Sequence, residues 1–134
     1  NNLAKEYDEY EFIIPLHPNP NVQKHRHLLT NLTVVDSMEH ASFIKKLASS
    51  HLVITDSGGI QEESSFFKKK CIVCREHTER GEGLEVFSFL ASEETMEGVF
   101  RDLVEDNIPS GDCQYGDGKS AERITKILIE ELKF

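Results

Sequence analysis

The sequence predicts an α/β protein built on a parallel sheet covered by helices on both faces. Two observations carry this. Short apolar, β-branched runs trade places with amphipathic segments along the whole chain, and the connections between them are brief. Parallel neighbours need crossovers, and a helix returning over the sheet is the usual one. With 134 residues, 38% hydrophobic and 29% charged, the composition suits one globular domain over residues 1–134 with a sizeable core.

The elements follow in order. EFIIPL (11–16) is a short apolar strand, stopped by HPNPN, whose prolines and asparagines make a loop. VQKHRHLL (22–29) is a short amphipathic segment, and LTVV (32–35) returns to β-branched residues. EHASFIKKLASS (39–50) places Phe43, Ile44, Leu47 and Ala48 at helical spacing, before a strand LVIT (52–55). A helix follows over about 59–69, then a strand CIVC (71–74) and a loop REHTERGEG (75–83). A weaker strand VFSFL (86–90) leads to a helix over about 93–106, a polar turn IPSGDCQYGDG and a final amphipathic helix over about 119–133. The pattern contains no internal repeat, low-complexity tract or linker.

Composition excludes several function classes. A formal charge of -9 argues against a nucleic-acid partner, since phosphate contacts need a basic face. The one dense basic run, Lys68, Lys69 and Lys70, reads as a solvated helix end. No apolar stretch is long enough to span a bilayer, so no membrane partner is expected. The opening NNLAKEYDEYEF lacks a signal-peptide apolar region and an initiating Met, which reads as a piece excised from something longer. Cys71, Cys74 and Cys113 form an odd set that cannot all pair, favouring a reducing cytoplasm. Cys71 and Cys74 make a CxxC, but on a strand the two side chains point to opposite faces, so neither zinc nor redox chemistry is expected of them.

The stretch HLVITDSGGIQEE (51–63) has the form of an anion site. In open parallel sheets ligands sit beyond the carboxyl ends of strands, where helix N-termini offer unpaired N–H groups and partial positive charge. Ser57 is a favourable N-cap and hydroxyl donor, while Gly58 and Gly59 let an anion approach the backbone unhindered. Neither GxGxxG nor GxxxxGK[ST] is present. Gly59 and Glu63 are four apart and share a helix face, and Ser57 to Glu63 advances roughly 9 Å, a span from a diphosphate to the ribose of the same nucleotide. Glu63 is thereby suited to accept from ribose hydroxyls, whereas Glu62 points elsewhere, to solvent. Arg75 and Arg80 in the next loop could each clamp a diphosphate. For Arg75 a surface ion pair with a nearby glutamate is the competing reading. Phe43, on the helix before this strand, reads by itself as a core residue.

Together HPNPNV, TDSGGIQEES, REHTERGEG and YGDG followed by a helix resemble, in order and spacing from about residue 11 onward, the C-terminal half of the non-hydrolysing UDP-N-acetylglucosamine 2-epimerases. The TDSGGIQEE string and the TER-x-EG loop are the specific parts. The resemblance implies a two-domain glycosyltransferase-B type fold in which this Rossmann-like half holds UDP. It implies reversible conversion of UDP-N-acetylglucosamine to UDP-N-acetylmannosamine: a base takes the C2 proton, UDP leaves by anti elimination to give 2-acetamidoglucal, and UDP re-adds after reprotonation on the opposite face. No nicotinamide or metal cofactor is implied. The parent enzyme would supply N-acetylmannosamine for surface polysaccharide, and a homodimer through that parent stays open.

Carried over, Ser57, Gly58 and Gly59 fall on the phosphate-binding turn, Glu63 on the ribose carboxylate and Arg80 on the arginine of the TER loop. Phe43 falls on the aromatic beside the uracil, replacing the core reading. His17 falls on the histidine of a strand-end loop near the cleft. Two positions depart: Gly81 stands where the family usually has proline, and Met38 where a polar uracil contact is often found. The family's catalytic carboxylates and its HRRE histidine precede the first residue here, and HRH (25–27) does not replace them. No catalytic residue is therefore assigned, and the chain alone is expected to be inactive. A hydrolysing 2-epimerase and a stand-alone UDP-sugar binding or regulatory module are the alternatives.

Overall fold

The computed structural model describes residues 1–106 and 111–132. The chain forms two compact units, Asn1–Lys46 and Leu47–Phe134, and each is taken by itself.

In the first unit, β1 (Ile13–Leu16) and β2 (Thr33–Asp36) pair in parallel, with Ile13 opposite Thr33 and Leu16 opposite Asp36. A short helix, α1 (Asn2–Glu6), precedes them where the sequence shows no helical signal. Asn1 ties this end down: its side chain accepts from the Thr30 N–H at 3.0 Å and donates to the Leu28 carbonyl at 2.5 Å. The HPNPN stretch is a loop only at its start. Asn19 accepts from the Asn21 N–H at 2.9 Å and Pro20 takes the first helical position, so one turn, α2 (Pro20–Gln23), forms. The amphipathic segment after it splits, and Arg26–Leu28 is a 3₁₀ turn held by an Arg26–Asp36 ion pair at 2.6 Å. Helix α3 (His40–Ser49) closes the unit and continues to the buried Leu47.

In the second unit, β3 (Leu52–Thr55), β4 (Lys70–Val73) and β5 (Ser88–Leu90) form a parallel sheet in the order β3-β4-β5. Helix α4 (Gly58–Phe66) crosses from β3 to β4, and α5 (Met96–Val104) follows β5. The central strand β4 is buried along its whole length, as a strand covered on both faces must be. Its Cys71, Ile72 and Val73 meet a core that includes Phe87, Ala91, Phe100, Leu103 and Val104. The fold is thus Rossmann-like α/β, with parallel strands flanked by helices. The last helix, α6 (Ser120–Leu132), leaves its apolar residues Ile124, Ile127, Leu128, Ile129 and Leu132 exposed. Residues 108–110 of the expected polar turn, and residue 133 of the expected final helix, lie outside the described residues.

The basic run corrects the sequence reading. Helix α4 ends at Phe66, and Lys68 adopts a left-handed φ of 55°, with Lys69 N–H donating to the Ser64 carbonyl at 2.8 Å and Lys68 N–H to the Ser65 carbonyl at 3.0 Å. This is a Schellman stop built on lysine instead of glycine. The chain then turns into β4, so Lys70 is a buried strand residue, its Nζ donating to Asp106 Oδ2 at 2.6 Å. A charge at a strand start is indistinguishable in sequence from one at a helix end; only the pairing with the distant Asp106 separates the two.

Candidate functional site

The mouth of α4 is set by the chain's passage out of β3. Thr55, the last strand residue, accepts the Ser57 N–H on its Oγ1 at 3.1 Å, bending the backbone through Asp56. Ser57 then takes the N-cap position with φ -95° and ψ 127°, and α4 begins at Gly58. The Ser57 hydroxyl makes no capping hydrogen bond, so it does not occupy the N–H groups of the first turn. An N-terminus of this kind is a ready anion site.

The loop after β4 returns to that mouth. A Cβ on Gly58 would lie 2.8 Å from Glu79 Oε1 and 3.6 Å from Arg80 Cζ, which puts the Arg80 guanidinium directly over the first residue of α4. Gly58 is therefore needed for a reason the sequence did not supply: the space beside it is taken by the loop's own side chains. Gly59 differs, since a Cβ there would meet nothing nearer than Ser57 Oγ at 3.9 Å. Its side of the helix is open.

The geometry of a helix explains the division. At about 100° per residue, positions four apart share a face. Gly58 and Glu62 form one stripe, Gly59 and Glu63 the next, and Gln61, Ser64 and Ser65 the buried third. On the first stripe Arg80 Nε pairs with Glu62 Oε1, while Arg80 Nη1 lies 3.1 Å from Glu79 Oε1. Glu62 still meets solvent, as its helix position had implied, but the loop also reaches back to pair with it. The hydrogen bond that Arg80 donates to the Glu62 carboxylate does most to hold its guanidinium firmly charged. The Glu79 carboxyl is held below the usual range, chiefly by its own backbone N–H and further by Arg75 and Arg80. Arg75 pairs with Glu79 at 3.1 Å, the ion pair that competed with a ligand role in the sequence. Arg80 is likewise paired, with Glu62 and Glu79.

The third stripe carries residues that sequence reasoning missed. Gln61 is fully buried and bridges α4 to the loop: its Nε2 donates to the Arg80 carbonyl at 3.1 Å, and its Oε1 accepts from Thr78 Oγ1 at 2.8 Å. Thr78 Oγ1 also accepts the Arg80 N–H at 3.1 Å, and Tyr115 OH donates to the Arg80 carbonyl at 2.9 Å. The Tyr115 ring packs where a Gly83 Cβ would stand, at 2.6 Å from its hydroxyl oxygen, which explains why glycine closes the TER-x-EG string. The available signal was a polar i, i+3, i+4 stripe of Gln61, Ser64 and Ser65 facing an apolar strand.

Among the predicted site residues, the second unit brings together Ser57, Gly58, Gly59, Glu63 and Arg80 around the mouth and first turns of α4. Glu63 is half-buried. His17, Met38 and Phe43 belong to the first unit. His17 is exposed and its Nδ1 accepts the Asn19 N–H at 3.1 Å, so this histidine helps to shape its own loop. Met38 and Phe43 are half-buried, before and on α3. Of the CxxC pair, Cys71 is buried in β4 and Cys74 exposed just past it, and no cluster able to hold a metal occurs among the described residues. No helix among them is long and apolar enough to cross a membrane.

The fold and this mouth define a class: a Rossmann-like α/β protein whose strand-to-helix turn is overlain by a guanidinium. The chain belongs to the UDP-N-acetylglucosamine 2-epimerase family, whose model matches residues 1–129. It is 34% identical to the UDP-N-acetylglucosamine 2-epimerase of Neisseria meningitidis serogroup A over 140 residues, covering 96% of this chain and 38% of that protein. The Campylobacter jejuni enzyme of the same name is 33% identical, over 96% of this chain and 37% of its own length. Among solved structures, the Staphylococcus aureus MnaA–UDP co-structure superposes with a TM-score of 0.87 at 28% identity, covering 98% of this chain and 39% of that one. The N. meningitidis enzyme bound to UDP-N-acetylglucosamine gives 0.83 at 32% identity, over 96% and 38%. The chain therefore spans well under half the length of these relatives.

Proposed function

We propose that residues 1–134 form the UDP-binding, C-terminal half of a glycosyltransferase-B type enzyme that interconverts UDP-N-acetylglucosamine and UDP-N-acetylmannosamine. The observation that carries this reading is the Arg80 guanidinium over Gly58, beside the open side of Gly59, in a chain of this family. The diphosphate is received by the N–H groups of Gly58 and Gly59, by the Ser57 hydroxyl and by Arg80, and the Glu63 carboxylate accepts from the ribose hydroxyls one turn further along. In the reaction a base elsewhere in the enzyme removes the C2 proton and the C1–O bond to UDP breaks, giving 2-acetamidoglucal. The part of this chain is to keep the departed UDP in place so that it re-adds once C2 is reprotonated on the other face. Holding the leaving group spares the cost of finding it again. The reaction belongs to the cytoplasm, where nucleotide sugars are at hand.

Calorimetric titration with UDP tests the site. Binding is expected, weakened at least about tenfold by Arg80→Ala, which deletes a charge-assisted contact, and similarly by Glu63→Ala. Unchanged affinity in both variants refutes the assignment. Product analysis of the full-length enzyme separates epimerisation from hydrolysis to free N-acetylmannosamine.

A further inference from the structure

We infer that Thr78, Gln61 and Tyr115 are positioning residues that set the Arg80 guanidinium over the helix mouth by fixing the Arg80 backbone. The inference rests on the reading of that mouth as the UDP diphosphate site.

The argument is one of constraint. An arginine side chain is long and rotamer-rich, so a guanidinium pre-placed at a ligand needs its backbone held first. At Arg80 both peptide groups are engaged by side chains: the N–H by Thr78 Oγ1 at 3.1 Å, the carbonyl by Gln61 Nε2 at 3.1 Å and by Tyr115 OH at 2.9 Å. Thr78 and Gln61 are also bonded to each other at 2.8 Å, which closes a ring through the Arg80 peptide. Gln61 is fully buried in α4, the same helix whose first turn forms the mouth, so the loop is indexed to the helix it must serve. Tyr115 arrives from the YGDG turn and fits against the bare Gly83. The two motifs, separated in the sequence, are mechanically one unit.

The test is UDP affinity in the native polypeptide that carries this chain, with thermal unfolding measured alongside. Thr78→Val removes the hydroxyl that both accepts and donates, and Tyr115→Phe deletes one hydroxyl from a half-buried ring. Each is expected to raise the UDP Kd about three- to tenfold, the factor a lost neutral hydrogen bond commonly carries. Thr78→Ser, which keeps the hydroxyl, is expected to restore affinity to within about twofold of the parent. In an Arg80→Ala background both changes are expected to lose their effect, since residues acting through one group are not additive. Should Thr78→Val fail to fold, the Tyr115→Phe pair decides alone. Undiminished affinity in the single variants, with Arg80→Ala still weakening binding, overturns the inference and leaves the site reading standing. Equal losses with and without Arg80 also overturn it, because they mark a merely structural role. If the parent protein does not bind UDP, the site reading falls and this inference with it.

Discussion

The Arg80 guanidinium pairs with the Glu62 carboxylate one helical turn below Gly58, at the mouth of α4. In the proposed diphosphate site, the cation is therefore already shared with a carboxylate. Both side chains are more than a third exposed, so this pairing acts on orientation and local charge more than on stability.

Glu62→Gln keeps an oxygen acceptor for Arg80 Nε while removing the competing charge. UDP affinity is expected to rise, by about two- to fivefold at low salt, with a steeper fall as salt is added. Titrations at two ionic strengths check this. A loss of affinity would show that the charge of Glu62 is needed to aim the guanidinium.

Gly59→Ala separates folding from binding. Nothing lies within 3.9 Å of its added Cβ, and alanine is the better helix former, so stability should hold or increase by up to about 1 kcal/mol. The same methyl stands in the open approach to the helix mouth, and UDP binding should drop sharply. Thermal unfolding and calorimetry on one sample measure both.

Lys70 brings a charge into the core, where only 7% of its side chain remains exposed, and Asp106 is its ion-pair partner. Asp106→Ala should cost about 1–3 kcal/mol, because the ammonium stays buried without its carboxylate. Lys70→Met, which removes the need for a partner, should cost less. Denaturant midpoints for the two variants give the order directly.

Burial pushes the Cys71 thiol up to about 12 from an ordinary value of 9.0. The fold favours the neutral thiol, so the associated stability is fully present below pH 9 and is lost as pH rises from there towards 12. Urea midpoints measured above pH 9 should fall, and less steeply in Cys71→Val. At neutral pH an alkylating reagent should spare Cys71 and reach the exposed Cys74, though slowly, since partial burial and then Asp56 raise that thiol as well.

The arrangement of strands and helices was legible because it is written in local periodicity. The run at 52–55 became β3 without adjustment, and the alternation around it specified parallel pairing. The boundaries that moved were decided by particular hydrogen bonds and backbone angles, some distant and some local, that periodicity does not encode. Lys70 joined β4 because of Asp106, and α4 stopped at Phe66 through a left-handed Lys68. The site was legible to the extent that glycines and carboxylates at fixed spacing imply a helix face.

By itself, the sequence determined the α/β class, the strand-to-helix turn at Ser57–Gly59 and the placing of Glu63 on the stripe of Gly59, since each follows from steric and periodic rules acting within one element. Tertiary structure alone decided that Glu62 pairs with Arg80, that Gly58 is small to admit Arg80 and Glu79, and that Gln61, Thr78 and Tyr115 hold the loop. Those relations join residues up to 54 positions apart, Gln61 and Tyr115 both reaching the Arg80 carbonyl. Hydrogen-bond satisfaction in a packed interior selects such partners by position in space, which spacing along the chain does not encode.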